Sequence, residues 1–388
     1  MRLLSRIGFI PTLLVCGAAG QAPAGDAPAK TVAERYQDGL TAYQRGDHKA
    51  AREALEEAKV MSEAGPAESR TRYEVLRALA GVLSATGDYE GAEQSLERAM
   101  NWRERYERAA LVDLSAERLE LAAVLEWSKQ YERALALLVS IEQQYTRQTR
   151  DVVDPRLADV FSHQAQVYSA MGEKAAAVYL SERSLRVRSA QLGEWHVWLT
   201  TDLERLGVYA LHAREYAKAE EAYQRALLIR EKAQGRDHID LVSSLDGLAY
   251  ALYGQKKHAE AERVYLRLLK SWTGTAGVEH PMVILTLDKM ASLYRDWGRE
   301  ADGEAAESRA VALRVLFHAN GLIKQAGELV RQKKLKEAVT IYRKALALLD
   351  ESRSEHAELR AKLAKLLGEL APRRPAAKAN RRPKQSSR

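Results

Sequence analysis

The chain has 388 residues, 46% hydrophobic side chains, few prolines and many helix-forming residues, which predict an all-helical protein with a large core. Its one cysteine, Cys16, excludes a fold held together by disulfide bonds within the chain. The formal net charge of +7 suggests that the protein binds nucleic acid. However, nine of the 60 basic residues and none of the 53 acidic ones lie in residues 1–24 and 372–388. The body between them is nearly neutral, so we expect no nucleic-acid binding from it.

Residues 1–24 are typical of a cleaved secretory signal. MRLLSR carries two arginines, IGFIPTLLV is apolar, and CGAAGQAPAG supplies the small residues that a signal peptidase accepts. The apolar run is too short to span a membrane, so no transmembrane helix is expected in the mature chain. The sequence thus predicts an exported protein, periplasmic or secreted. The alternative is a lipid anchor on Cys16, because LLVC resembles a bacterial lipoprotein signal, although Val15 stands where such signals have a small residue.

One pattern occurs eight times in the body of the chain. Each copy is a turn followed by a helix with a small residue near its start, as in GDYEGAEQSLERAM from Gly87 and REYAKAEEAYQRAL from Arg214. The small residues follow one another at steps of 41 to 43, except for a last step of 35: Ala51, Ala92, Ala134, Ala177, Ala219, Ala261, Gly303 and Ala338. Upstream of each copy, apolar residues spaced by three and four predict a first helix, in which a small residue such as Gly207 or Ala249 lets the two helices approach closely. Each copy is therefore a predicted helical hairpin that buries its apolar faces by stacking on its neighbours.

Histidines recur with the same period. His196, His238 and His280 are 42 residues apart, each three residues after a glycine, and Asp154 holds the corresponding place one repeat earlier. A catalytic or metal site would not be repeated at every interval, so these residues are predicted to join repeats: glycine ends one helix with a left-handed cap, and histidine begins the next. No HExxH, phosphate-binding glycine loop or GxSxG turn occurs. No catalytic residue, metal or cofactor is therefore predicted.

The pattern resembles the tetratricopeptide repeat over residues 32–349, and the 42-residue step with AEEAYQRALLIREKAQGRDHIDL resembles its kinesin light chain subtype. The resemblance implies an all-α, right-handed superhelical solenoid of about eight helix-turn-helix repeats with a C-terminal capping helix. The predicted domains are a signal peptide at 1–24, the solenoid with its capping helix at 25–371 and a disordered basic tail at 372–388. Because the family binds peptides or folded partners on the concave wall of first helices, the implied function is a non-catalytic scaffold or adaptor for a protein or peptide partner.

The concave wall also supplies the candidate site. Where the kinesin light chain subtype has an asparagine pair, this sequence has an acid at three successive repeats, which predicts an acidic column flanked by tyrosines. The candidate partner-binding residues are Glu204, Asp246, Tyr250, Tyr253, Asp288 and Arg295. They are predicted to bind a segment that carries Lys or Arg, with the carboxylates steering and the tyrosines supplying contact area. The alternative is that the carboxylates pair with neighbouring Arg205 and Lys289 and that the wall is merely solvated.

Two further expectations concern other parts of the chain. In an alternative to the scaffold function, the protein is an envelope assembly or anchoring factor that acts through its basic tail, with the solenoid as a spacer. Trp195 and Trp198, in the joint between repeats four and five, are expected to pack between adjacent repeats, where bulky aromatics add buried area. The sequence carries no signal for an oligomeric state.

Overall fold

A computed structural model of the chain describes residues 30–107, 113–148, 154–236, 238–351 and 354–370. Sixteen α-helices occupy nearly all of these residues, and no strand occurs among them. The predicted all-α class is confirmed. The predicted signal peptide, Cys16 and the basic tail lie outside the described residues, so what the sequence indicates for them stays a prediction.

The chain divides into two compact units, residues 1–124 and residues 125–388. The first unit contains α1 (Val32–Gln44), α2 (His48–Ala64), α3 (Arg70–Thr86), α4 (Tyr89–Tyr106) and most of α5 (Ser115–Trp127). The second contains the end of α5, then α6 (Tyr131–Gln148), α7 (Leu157–Met171), α8 (Lys174–Leu192), α9 (Leu199–His212), α10 (Tyr216–Gln234), α11 (Val242–Gly254), α12 (His258–Ala276), α13 (Pro281–Asp296), α14 (Glu300–Arg331), α15 (Leu335–Leu348) and α16 (Ser354–Leu370). A 3-10 turn, Ile239–Leu241, precedes α11.

Within each unit, consecutive helices pack as hairpins, and neighbouring hairpins pack on one another, as α2 does on α3 and α8 on α9. In the first unit α1 packs on α2 and α3 on α4, and in the second unit α7 packs on α8, α9 on α10, α11 on α12 and α13 on α14. The small residues that define the period are buried in every copy, because they lie where the two helices of a hairpin touch. The predicted helical repeat solenoid is therefore confirmed within each unit.

Repeats five and six are packed around one tyrosine ring. Tyr223 of α10 is 3% exposed and lies against Gly207 of α9 and Gly247 of α11. A Cβ atom at Gly207 would come within 2.6 Å of the ring, and one at Gly247 within 2.2 Å of its Cζ atom. Both positions therefore require glycine, which confirms the close approach predicted at Gly207.

The last repeats differ from the prediction. α14 runs unbroken through 32 residues and packs on both α13 and α15, so it serves as the second helix of repeat seven and the first helix of repeat eight. The reason is local: the glycine and histidine joint of Gly277 and His280 has no counterpart 42 residues later, where Ala319 is buried in the core. α16 packs on α15 through Leu363, which is fully buried, and so covers the end of the stack.

The joints between repeats cap the helices that follow them. In each, a side chain accepts a hydrogen bond from the backbone N–H two residues later: His196 at 3.2 Å, His238 at 3.2 Å, His280 at 3.3 Å and Asp154 at 2.9 Å. This confirms that the periodic histidines begin helices. The preceding glycines have positive φ as expected, but ψ values of 152°, 165° and 164°, so the predicted left-handed cap is wrong: Gly193, Gly235 and Gly277.

The turns within hairpins provide a test of backbone strain. One residue of each turn has φ between 61° and 87°, and in four turns it is not glycine: Lys129, Arg214, Lys256 and Lys333. We expect Lys256→Gly to raise the free energy of unfolding by about 1 kcal/mol, because an L-residue in the left-handed region is strained. Gly298→Lys is the matched reverse change and is expected to lower it similarly. Urea denaturation of both variants measures the effect, and equal stabilities would contradict it.

Candidate functional site

The exposed faces of α9, α11 and α13 form the surface that we call the first-helix wall. It is defined by residues that recur at steps of 42 or lie on the same helical face: Glu204, Val208, Asp246, Tyr250, Tyr253, Asp288, Arg295 and Asp296. On α11, spacings of four and seven put Asp246, Tyr250 and Tyr253 on one face. Tyr250 is 45% exposed, and Val208, at the same place one repeat earlier, is 40% exposed.

The Glu204 carboxylate bonds to side chains of two neighbouring helices. Arg230 of α10 forms an ion pair with it, with a second Nη to carboxylate contact of 2.9 Å. The hydroxyls of Ser243 and Ser244 each donate to the same carboxylate oxygen at 2.6 Å. Arg205, the partner expected from the sequence, instead donates to the hydroxyl of Ser162. Glu204 therefore joins three helices and has its charge balanced within the chain.

The other two acids of the wall also have cationic partners. Lys289 Nζ lies 2.5 Å from Asp246, as the solvated alternative expected. Asp288 is 2.8 Å from an Nη atom of Arg314 on α14. All three carboxylates of the predicted acidic column are thus neutralised by residues of the same chain, and a partner's cation would have to compete with an existing ion pair.

Pairs between neighbouring repeats follow a spacing that the sequence analysis did not use. Four pairs are 43 residues apart, one more than the period: Arg77 with Glu120, Ser162 with Arg205, Asp246 with Lys289, and Tyr253 with Asp296. In the first three pairs, one residue lies three positions before the small residue of its first helix. Its partner lies two positions before the small residue of the next first helix. Two of the four are pairs of opposite charge, Arg77 with Glu120 and Asp246 with Lys289.

Asp296 is the acid of the wall with a neutral partner. It is exposed at the end of α13 and accepts a hydrogen bond from the hydroxyl of Tyr253, which raises the pKa of that phenol to about 12. No ion pair to Asp296 occurs within the described part of the chain. Arg295, a predicted binding residue, is instead paired with Glu307 of α14.

Aromatic rings continue from the wall to the turn end of α13. Tyr250 and Tyr253 have ring centroids 6.2 Å apart, and Tyr253 lies 6.3 Å from His258. His258 in turn stacks on Trp297, with centroids 5.9 Å apart and rings inclined by 19°. We call these four residues the aromatic row. It crosses from repeat six to repeat seven beside Asp296.

The expectation that Trp195 and Trp198 pack between repeats is wrong. Their exposed fractions are 57% and 71%. Trp198 is held edge-on against His196 at 5.1 Å, and Trp195 lies under Lys232 Nζ at 4.7 Å. In this joint, the backbone N–H of Trp198 donates to His196 Nδ1, and the indole of Trp198 stays exposed.

Glu126 is a buried acid that sequence reasoning missed. It is 9% exposed at the end of α5, and Gln166 of α7 is its hydrogen-bond partner. Glu126 holds the position in its repeat that Tyr253 holds three repeats later. Burial raises its pKa to about 7, against smaller opposing effects of Gln166 and of the Arg205 charge. Burial also lowers the pKa of His163 on α7, so in both side chains burial favours the neutral form.

Within residues 30–107, 113–148, 154–236, 238–351 and 354–370, no group of three or more His, Cys, Asp or Glu is placed to hold a metal ion. None of the described helices is both long enough and apolar enough to cross a membrane.

Residues 199–271, which form α9 to most of α12, match the family model of the tetratricopeptide repeat. The chain is similar to a signal transduction ATPase with a tetratricopeptide repeat sensor from Pyrococcus horikoshii, at 16% identity over 72% of this chain and 42% of that one, with a TM-score of 0.53. It is similar to part of a repeat protein from Cytophaga hutchinsonii, at 16% identity over 72% of this chain and 95% of that one, with a TM-score of 0.51. A protein of Podosopora anserina assigned to the kinesin light chains has 18% identity over 53% of this chain and 99% of that one, with a TM-score of 0.47. No curated protein sequence matches the chain.

Proposed function

We propose that this chain, which carries tetratricopeptide repeats, is a non-catalytic scaffold or adaptor that binds a protein or peptide segment on the first-helix wall. Tetratricopeptide repeat proteins generally act as scaffolds for protein-protein interaction. The specific proposal is supported by one observation: large apolar side chains, Val208 and Tyr250, remain exposed at equivalent places in adjacent repeats. Exposed apolar residues that recur along a surface provide contact area for a partner.

The charges of the wall indicate which kind of segment it receives. Glu204, Asp246 and Asp288 already have cationic partners, so they shape the wall rather than attract a ligand. Asp296 has only the Tyr253 phenol as a partner among the described residues, so a Lys or Arg of the segment gains an ion pair there without displacing one. Tyr250 then supplies the apolar contact beside it.

Affinity capture from the native host tests this proposal. We expect Tyr250→Ala combined with Asp296→Asn to reduce recovery of the main captured protein at least tenfold, because the change removes both the contact area and the free carboxylate. Tyr179→Ala is the matched control, since Tyr179 is a 59% exposed tyrosine on the second helix α8. Recovery that is equal for the wall variant and the control would contradict the proposal.

We also propose that the protein is exported, which cell fractionation can test separately. Residues 1–24 have the order of a secretory signal, and we propose that the protein acts in the periplasm or outside the cell. Deleting these residues is expected to retain the protein in the cytoplasm on cell fractionation. Cys16→Ala with unchanged membrane association would exclude the lipid anchor.

A further inference from the structure

The joint between α8 and α9 exposes three apolar side chains within four residues. Trp195, Val197 and Trp198 are 57%, 39% and 71% exposed. In the next two joints an acid holds the place of Trp195, namely Asp237 and Glu279. A joint of this kind can therefore be built without an indole at that place, so the connection between repeats does not explain it. Adjacent exposed apolar residues mark an interaction surface.

Helix α10 extends this surface. Arg225 donates to the backbone carbonyl of Glu194 at 2.6 Å. Lys232 Nζ lies 4.7 Å from the ring centroid of Trp195, so one face of α10 lies against the joint. Leu228 is on the same face, at spacings of three and four from the two basic residues, and is 41% exposed. We call the combined surface the tryptophan patch, which consists of Trp195, Val197, Trp198, Leu228 and Lys232.

The charge beside the patch is positive. The last ten residues of α8, 183–192, hold three arginines and no acid. The acids beside the patch, Glu194 and Glu231, already have arginine partners. Arg186 and Lys232 are exposed, and no ion pair to either occurs among the residues that the structure describes. The patch therefore attracts anionic groups.

The chemistry of tryptophan indicates what covers the patch. Its large ring is apolar, whereas its N–H group needs a hydrogen-bond acceptor, so indoles concentrate at the headgroup level of membranes, where both needs are met. Neither Trp195 nor Trp198 donates a hydrogen bond from its indole within the described parts of the chain. Basic residues beside such rings add attraction to anionic lipid headgroups. Exposed indoles, free N–H groups and unpaired cations together fit a lipid surface.

We propose that the tryptophan patch binds the surface of a phospholipid bilayer that contains anionic lipids. The indoles and Leu228 enter the headgroup region, and Lys232 and Arg186 supply attraction to the lipid phosphates. This function is separate from partner binding on the first-helix wall. Val208 of the wall lies ten residues beyond Trp198 along α9, which is about 15 Å along the helix axis. The chain can therefore hold a partner on the wall while the joint contacts a membrane.

Quenching of tryptophan fluorescence by brominated lipid tests the proposal with the full chain. The probe is mixed vesicles of phosphatidylcholine and phosphatidylglycerol in which part of the phosphatidylcholine carries bromine on its acyl chains. We expect these vesicles to quench the fluorescence of the unmodified chain, because bromine quenches an indole only at short range. Adsorption through the basic residues 372–388 alone gives no quenching, because that segment holds no tryptophan.

Two variants test the charge and the rings separately. Lys232→Gln keeps both indoles, and we expect it to lower the partition coefficient measured by quenching about fivefold with the mixed vesicles, since one cation near an anionic surface is lost. Trp195→Ala combined with Trp198→Ala is measured by co-sedimentation with vesicles of phosphatidylcholine alone, to which basic residues are not attracted by charge. We expect this double variant to bind at least tenfold less well than the unmodified chain.

Controls separate a local effect from a general one. Trp127→Ala removes a 42% exposed indole at the end of α5, and we expect it to leave co-sedimentation unchanged. Tyr250→Ala alters the first-helix wall and is expected to leave vesicle binding unchanged while it reduces partner capture, so the two functions can fail independently. Thermal unfolding followed by circular dichroism checks that each variant is folded.

Two results would overturn the inference. One is the absence of quenching while the chain still sediments with the mixed vesicles, which shows adsorption through other residues. The other is a sedimented fraction that the double tryptophan variant leaves unchanged. If no vesicle is bound, but the double variant captures a host protein at least tenfold less well, the patch contacts a protein instead of lipid and the inference is again wrong.

Discussion

Gly247→Ala is expected to lower the free energy of unfolding by about 2–3 kcal/mol, a large effect for one added methyl group. The added Cβ would lie 2.2 Å from the Cζ atom of Tyr223, whose ring is buried between α9 and α11. The ring has no room to move away, because it also lies against Gly207, where a Cβ atom would come within 2.6 Å of the ring. The hairpins of repeats five and six must therefore separate. Urea denaturation followed by circular dichroism measures the loss.

Two further variants decide whether the contact with Tyr223 is the cause. Gly321→Ala lies within a helix and would meet nothing within 4 Å, so we expect it to raise the free energy of unfolding by about 0.5–1 kcal/mol through the helix propensity of alanine. Tyr223→Leu removes the ring, so the cost of Gly247→Ala should be much smaller in that background. An unchanged cost there would show that the account in terms of the ring is wrong.

Glu126→Gln is expected to raise the free energy of unfolding by about 3 kcal/mol at pH 8. Burial raises the pKa of this carboxyl from 4.5 to about 7, so at pH 8 the folded protein contains a buried carboxylate that the unfolded chain holds in water. The penalty is absent below pH 4.5, grows between pH 4.5 and 7, and is constant above pH 7. Glutamine carries no charge at any of these values, so the advantage of the variant should follow the same course.

The pH profile is the decisive part of that prediction. Glu132→Gln changes an exposed glutamate on the neighbouring helix α6, and we expect it to alter stability by less than about 0.5 kcal/mol at pH 5 and pH 8 alike. The groups that face Glu126 are Gln166 of α7 and Arg205 and Tyr209 of α9. Burial raises the pKa of Tyr209 to about 12, so this phenol does not titrate between pH 4.5 and 8. A stability difference between Glu126→Gln and the unmodified protein that does not vary with pH would contradict the assignment.

The fold could be predicted from the sequence because few residues determine it. A small residue is needed wherever two helices of a hairpin touch, so the positions of Ala219 and Ala261 reveal the period, and both are fully buried. The joints were predicted in part: their histidines cap as expected, whereas the ψ values of Gly193, Gly235 and Gly277 differ from the predicted left-handed cap. The continuous helix α14 had a signal as well: the step of 35 before Ala338, together with the missing joint.

The side-chain contacts of the candidate site could not be predicted in the same way. A period of 42 shows which residues are equivalent, but not which long side chain crosses to a neighbouring helix. Glu204 is 26 residues from Arg230, its ion-pair partner on the second helix of the same hairpin, and adjacent Arg205 points to the previous repeat. The offset of 43 depends on how successive hairpins are inclined, which only the packed structure contains. The exposure of Trp195 likewise depends on the path of the joint rather than on residue type.

The pairs at a spacing of 43 have a consequence for how such a chain can change its length during evolution. Loss of a whole repeat brings together residues that never met before. Loss of repeat six would set Glu204 opposite Lys289, which are oppositely charged, whereas loss of repeat five would set Ser162 opposite Gly247, which has no side chain to offer. Equal lengths therefore do not make the repeats interchangeable, because each deletion creates a different pair of residues at this position.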